Sequence, residues 1–331
     1  MAIHIRRREL IAALGGVAAA WPLAARGQQS GAGPLIGILS PLSERAAKRN
    51  IDAFRAGIRA AGYVEGQNIR MEVRFAEGAI ARMPELVAEL VTLKPAVLVV
   101  GSPPAAVAAH NVTSTIPILI SSSENPIALG LARSLARPGG NVTGFWWDDE
   151  GLAGKRFELL KEALPGMTRV GIIANPDDPT DIDALKSLPA VTQSLGLTVR
   201  VIEVRAATDI EPAFATAVRE ELQGVQIGLS PVFNSHRAVI ATLAANARLP
   251  TINAFREFAI AGGLMSYAAS LPDTYRRLAG VADKILKGAR PGELPIERPT
   301  KFELVINLRA AKVRGLTIPN SMQLLADEVI E

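Results

Sequence analysis

Two stretches of this chain run through the same order of signals, and that repetition limits the possible folds more than any other feature. LIGILSP at 35–41 is answered by VGIIANP at 170–176, and VLVVGSPP at 97–104 by VQIGLSPV at 225–232. TIPILIS at 115–121 is answered by RLPTINA at 248–254, and Gly139-Gly140 by Gly262-Gly263. The offsets stay between 123 and 135 residues, so the chain reads as two copies of one folding unit. Inside each copy, short apolar runs alternate with longer amphipathic stretches. The runs lie at 35–40, 69–75, 96–102 and 116–121, then at 170–174, 199–204, 225–230 and 251–254. Helical spacing marks 45–61, 84–93, 153–164, 210–222 and 237–248; Ile51, Phe54, Ile58 and Ala61, for example, share one face. Strands separated by helices of this length imply parallel sheets with right-handed crossovers.

More strand and helix signals follow the second copy. A strand is expected at 264–270, a helix at 273–287 stopped by Gly288, and a further strand at 301–308. Material beyond two complete lobes implies that the backbone crosses between them more than once. The expected architecture is therefore α/β, with two Rossmann-like lobes of parallel sheet joined by a multi-strand hinge. The first lobe is expected to take 33–142 and about 264–292, and the second 148–260, with 300–316 left open. Hinge segments are expected near 143–147, 261–264 and 293–300.

The N-terminus reads differently. Arg6, Arg7 and Arg8 precede an uncharged run from Leu10 to Ala20, followed by small residues in Ala25-Arg26-Gly27. A basic start, a short apolar segment and a small-residue cleavage site make an export signal over 1–27, with twin-arginine character. The run is well short of the roughly 20 residues that span a bilayer. This segment carries net +3 of the whole chain's +4, which leaves about +1 for the remainder and removes the charge argument for nucleic-acid binding. The chain has no cysteine, so disulfides, thiolate metal sites and a cysteine nucleophile are all excluded.

Several blocks resemble a known family. RRRELIAALGG with WPLAA, GYVEGQNI, RPGGNVTG, GKRFELLKE, EFAIAGGLMSY and PTKFELVINLRAAKVRGL are similar to the ABC transporter substrate-binding proteins, the family that includes tryptophan- and tyrosine-type binding proteins. The resemblance spans essentially the whole chain. It implies a type I periplasmic-binding-protein fold and a periplasmic receptor that closes on a small-molecule solute. It also implies a partner permease driven by a cytoplasmic ATPase. A monomer without cofactor or metal is expected. An exported α/β enzyme and a periplasmic sensory module are the rival readings.

In open α/β sheets, solutes bind beyond the carboxyl ends of the strands, where helix N-termini present free N–H groups. That places candidate contacts in two facing sets of loops. In the first copy these are Ser40, Ser102, Ser121, Ser122 and Glu124; the serines suit a carboxylate and Glu124 an ammonium. Ser102 equally suits a helix cap before Pro103-Pro104. Trp146 and Trp147 follow the first copy, and alternation in an extended segment can turn one of them to the cleft, which one being open and Trp146 the candidate contact; the alternative is that both rings anchor the hinge. In the second copy the candidates are Asp177, Phe233, Asn234 and Arg256, with helix capping, core packing and pairing with Glu257 as the respective alternatives for Asp177, Phe233 and Arg256. Catalytic signatures are missing: there is no His-Glu-x-x-His, no Gly-x-Ser-x-Gly elbow and no phosphate-binding glycine loop.

Overall fold

The structure is a computed structural model that describes residues 33–147 and 149–331. The first sheet is built from β1 (Leu35–Ser40), β2 (Arg70–Phe75), β3 (Val97–Val100), β4 (Ile118–Ser122) and β5 (Val142–Trp146). Intervening helices are α1 (Glu44–Ala60), α2 (Met83–Thr92) and α3 (Pro103–Val112). The second half repeats this with β6 (Arg169–Ala174), β7 (Thr198–Glu203), β8 (Val225–Ile227), β9 (Thr251–Asn253) and β10 (Met265–Ala269). Its helices are α4 (Asp149–Ala163), α5 (Pro179–Ser194), α6 (Ile210–Arg219), α7 (Pro231–Ser235), α8 (Arg237–Asn246) and α9 (Arg256–Ile260). The tail adds α10 (Leu271–Leu286), β11 (Ile296–Glu297), β12 (Phe302–Asn307), α11 (Leu308–Val313), α12 (Asn320–Leu325) and β13 (Glu328–Ile330).

Spatial order exposes the duplication. The first sheet runs β11-β5-β4-β3-β1-β2, and the second β13-β12-β10-β9-β8-β6-β7. Strands one to five of each copy thus lie in the same order, 2-1-3-4-5, and all pair in parallel. β12 is antiparallel to β10, and β13 runs parallel to β12. Composition follows position. The central strands LIGILS and VLVV are buried throughout, as strands covered by helices on both faces must be. The edge strands β2 (RMEVRF) and β7 (TVRVIE) alternate charged with apolar residues, which discourages pairing with other chains.

Each sheet is packed on both faces. On one face of the first sheet, Ile51, Phe54 and Ile58 of α1 meet Tyr275, Leu278 and Ala282 of α10. Ser43 caps α1 by accepting the Ala46 N–H, and Glu44 favours the positive end of the helix. The two helices touch closely because Gly57 has no side chain: a Cβ there would lie 2.6 Å from the Arg276 carbonyl oxygen. Leu86, Leu90, Ala105 and Ala109 of α2 and α3 cover the other face. In the second lobe, Phe157 and Leu160 of α4 cover one face, and Phe214 and Ile240 of α6 and α8 the other.

The backbone passes between the sheets three times: after Trp146, at Ser270 between β10 and α10, and at 298–301 between β11 and β12. The expectation gives about 264–292 to the first lobe, and the structure differs from it at the first strand of that stretch. Met265–Ala269 is the fifth strand of the second copy, the counterpart of Val142–Trp146, and the crossing follows it. Residues 302–307, left open by the sequence, pair with β10 in the second sheet. Two crossing segments are tied together, the Ser270 N–H donating to the Lys301 carbonyl (2.9 Å). No helix among the described residues is long and apolar enough to span a membrane.

Candidate functional site

The carboxyl ends of the first sheet form one rim. Pairing of Leu39 with Val100 and of Val100 with Ile120 puts the next residues, Ser40, Gly101 and Ser121, side by side at its edge. A buried tyrosine fills the notch at the middle position: a Cβ on Gly101 would lie 2.3 Å from the Tyr275 hydroxyl. Burial pushes that phenol's pKa well above its ordinary value, so it stays neutral. The Ser40 hydroxyl accepts the Leu42 N–H (3.2 Å) and shapes its own turn. The Ser121 hydroxyl is buried and has no hydrogen-bond partner among the described residues.

The remaining first-rim candidates divide between local structure and open surface. Ser122 is fully buried; its hydroxyl donates to the Glu124 carbonyl (2.9 Å) and accepts the Glu124 N–H (3.2 Å). It holds the loop that presents the half-buried Glu124. Ser102 caps α3, accepting the Ala105 N–H (3.4 Å), and remains partly exposed.

The two tryptophans are placed differently. Trp146 ends β5 opposite Ser122, is only 8% exposed, and has the Arg298 guanidinium 4.4 Å above its ring. Trp147 is the accessible ring. The Trp147 backbone N–H donates to the Ser122 carbonyl (3.1 Å), and the residue lines a concavity of about 190 Å³ with Leu152, Arg298, Pro299 and Phe302. That hollow is built from the first and third crossings, so the accessible tryptophan sits at the hinge. Arg298, which the sequence reading did not single out, lies beside Trp146 because β11 runs parallel to β5.

On the second rim the loops after β6, β8 and β9 are held by side-chain hydrogen bonds. Asn253 donates to the carbonyls of Ile227 (3.0 Å) and Gly228 (2.9 Å), and its Oδ1 accepts the Phe255 N–H (2.8 Å). Asn175 donates to the Ser230 hydroxyl (3.1 Å) and accepts the Asp177 N–H (3.0 Å). Asp178 accepts the Thr180 N–H (3.0 Å), which is the capping role. Asp177 is exposed and pairs with Arg205 (3.3 Å). Asn234 is half-buried on α7, with its carbonyl accepting from Arg237 (2.7 Å).

Two second-rim expectations are corrected. Phe233 is 1% exposed and packs with Ile227, Ile240 and Phe258, so its ring belongs to the core. Arg256 is paired with Glu328 and not with Glu257. Its guanidinium grips Glu328 through two nitrogens, Nε at 2.6 Å, and that bond raises its pKa further above its ordinary value. Sequence could not show this partner, which lies 72 residues away on the last strand. A second concavity, about 550 Å³, lies at the end of edge strand β7 and is lined by Arg205, Asp209 and Thr216; Arg205 joins it to Asp177 in the loop after β6. No cluster of three His, Cys, Asp or Glu side chains suited to a metal occurs among the described residues.

Comparison with known proteins fits this layout. A tyrosine-binding protein of Clostridioides difficile is 24% identical over 271 residues, covering 81% of this chain and 77% of the relative. A conserved domain protein from Vibrio cholerae superposes with a TM-score of 0.78 at 24% identity, over 89% of this chain and 99% of the other. The ABC domain from Streptococcus pneumonia in complex with L-Trp gives 0.75 at 23%, over 89% and 100%. The two-lobed architecture is the type I periplasmic-binding-protein fold. The homologues are solute-binding proteins and not enzymes, which removes the hydrolase reading. Residues 35–330 match the ABC transporter substrate binding protein family, and the chain belongs to that family.

Proposed function

We propose that this protein is the extracytoplasmic solute receptor of an ABC importer, taking an amino acid between its two rims by hinge closure. The observation that supports this best is the pairing of two copies of one lobe through three crossings, with serine- and asparagine-rich strand ends in each. Three short connections permit bending while resisting separation, and closure around a ligand is an established use of such a hinge. The names of the C. difficile and S. pneumonia proteins favour an amino acid, aromatic ones included. Accessible groups suited to it are Ser102, Glu124 and Trp147 on one side and Asp177 and Asn234 on the other. The closed form is what a permease driven by a cytoplasmic ATPase would take up. Residues 1–27 lie outside the described residues; we assign them to an export signal removed before the protein works as a periplasmic monomer.

The test is titration of the purified protein with a panel of proteinogenic amino acids, following Trp emission and small-angle scattering together. Binding with compaction is the expected result. Binding without any compaction would remove hinge closure, and no binding across the panel would remove the amino acid as solute.

A further inference from the structure

We propose that Asp181 is a positioning residue for solute capture, locking the loops after β6 and β8 into one rigid half of the second rim. The proposal rests on the reading that the solute sits between the rims, and it adds a residue that touches neither the solute nor the hinge. Asp181 stands in the first turn of α5 and is 1% exposed. A carboxylate so deeply buried is costly unless hydrogen bonds satisfy it. Its Oδ2 accepts the Asn175 N–H at 2.9 Å, and its Oδ1 the Leu229 N–H at 2.6 Å. Asn175 is the first residue after β6, and Leu229 the second after β8. Both amides lie past the ends of their strands, where the sheet ladder no longer supplies an acceptor.

The fit is close enough to dictate a neighbour. A Cβ on Gly228 would lie 2.5 Å from the Asp181 carboxylate, so only glycine lets the loop come down onto it. The position at a helix N-terminus suits a negative charge as well. From the clamp, order spreads outward. Asn175 reaches Ser230 and the Asp177 N–H, and Ser230 leads into α7 with Asn234. Two loops more than 50 residues apart in sequence thus move as one body. Rim groups held in place before the solute arrives spare the complex the ordering that would otherwise weaken binding.

Substitution D181N keeps the shape but turns an amide NH2 toward one of the two N–H donors. Hydrogen exchange should rise at 175, 177, 178 and 228–230 and stay unchanged within β6 and β8. The dissociation constant for whichever panel amino acid the wild type binds should rise by about tenfold or more, the loss expected of a hydrogen bond to a charged group. Affinity within twofold of wild type, or unchanged exchange in the two loops, would overturn the proposal. So would an exchange increase spread over the whole second sheet, the mark of a residue that only stabilises the lobe. If D181N does not fold, G228A probes the same contact from the other side with the same two readouts. Failure of the wild type to bind any panel member counts against the proposed solute, whereas the exchange pattern of D181N judges the clamp independently of the solute's identity.

Discussion

Replacing Gly101 by alanine should jam the floor of the first rim, and the structure says against what. The new methyl would lie 2.3 Å from the Tyr275 hydroxyl oxygen and 3.2 Å from Cδ of Pro41. The tyrosine has little room to retreat. Tyr275 is 3% exposed, and its helix is seated on α1, where Gly57 already brings the two backbones into contact. Overpacking of this kind costs about 1–3 kcal/mol. At roughly 2–4 °C per kcal/mol for a unit of this size, G101A should melt about 2–12 °C below wild type. The double variant G101A/Y275F removes the offending oxygen, leaving the ring carbon at 3.6 Å as the nearest atom of that side chain. The two substitutions should therefore be strongly non-additive, with G101A far less harmful in the Y275F background. Denaturant unfolding of the four proteins measures the coupling, expected to exceed about 1 kcal/mol. Additivity within about 0.5 kcal/mol would show that the notch and the phenol do not meet, and the packing argument would fail.

Three further outcomes follow from other parts of the molecule. W147F should abolish the solute-induced change in Trp emission while W146F preserves it, because only Trp147 lines the hinge hollow; the opposite pattern would reverse the assignment. Arg49 on α1 and Glu303 on β12 join the two lobes across 3.0 Å, with Arg49 half exposed. E303Q should alter stability by no more than about 1 kcal/mol. Its scattering profile at low salt, however, should match that of wild type at high salt; identical wild-type profiles at both would refute the link. Asp209 accepts the N–H groups of Ala206 (2.9 Å) and Arg205 (3.0 Å), which hold its pKa below the ordinary carboxylate value. Its stabilising effect is complete above the unfolded-state pKa and lost as pH falls through the depressed folded value. D209N should flatten the acid limb of the stability curve, and an unchanged limb would contradict this.

The sequence conveyed the doubled α/β order because strand ends in such folds are marked by Gly, Ser and Pro, and the marks survive in both copies. The match of Gly262-Gly263 to Gly139-Gly140, carried one element further, pairs Met265–Ala269 with Val142–Trp146, and the second sheet keeps that strand. Loop positions such as Ser40 and Ser121 were legible, but their partners were not. Tyr275 reaches Gly101 only because a late helix folds back across the first sheet, and Arg256 finds Glu328 only through the last strand. Alternation predicted that one of Trp146 and Trp147 faces outward. Which one depends on where the strand ends and on Arg298 arriving from a separate segment. Asp181 left a faint trace, an acidic residue in a helix's first turn, with nothing to indicate the glycine beneath it.

The route by which α10 returns to the first lobe bears on how the chain can be made. Tyr275, Leu278 and Ala282 complete a core whose other residues begin at Ile36, so one wall of that core emerges from the ribosome after nearly the whole polypeptide. The second lobe waits longer still, since Ile318 and Met322 close its interior. Neither half can finish burying its apolar surface until synthesis is almost over, and a fragment ending at β10 would leave both exposed. Vectorial production therefore holds the molecule unfinished until its tail arrives.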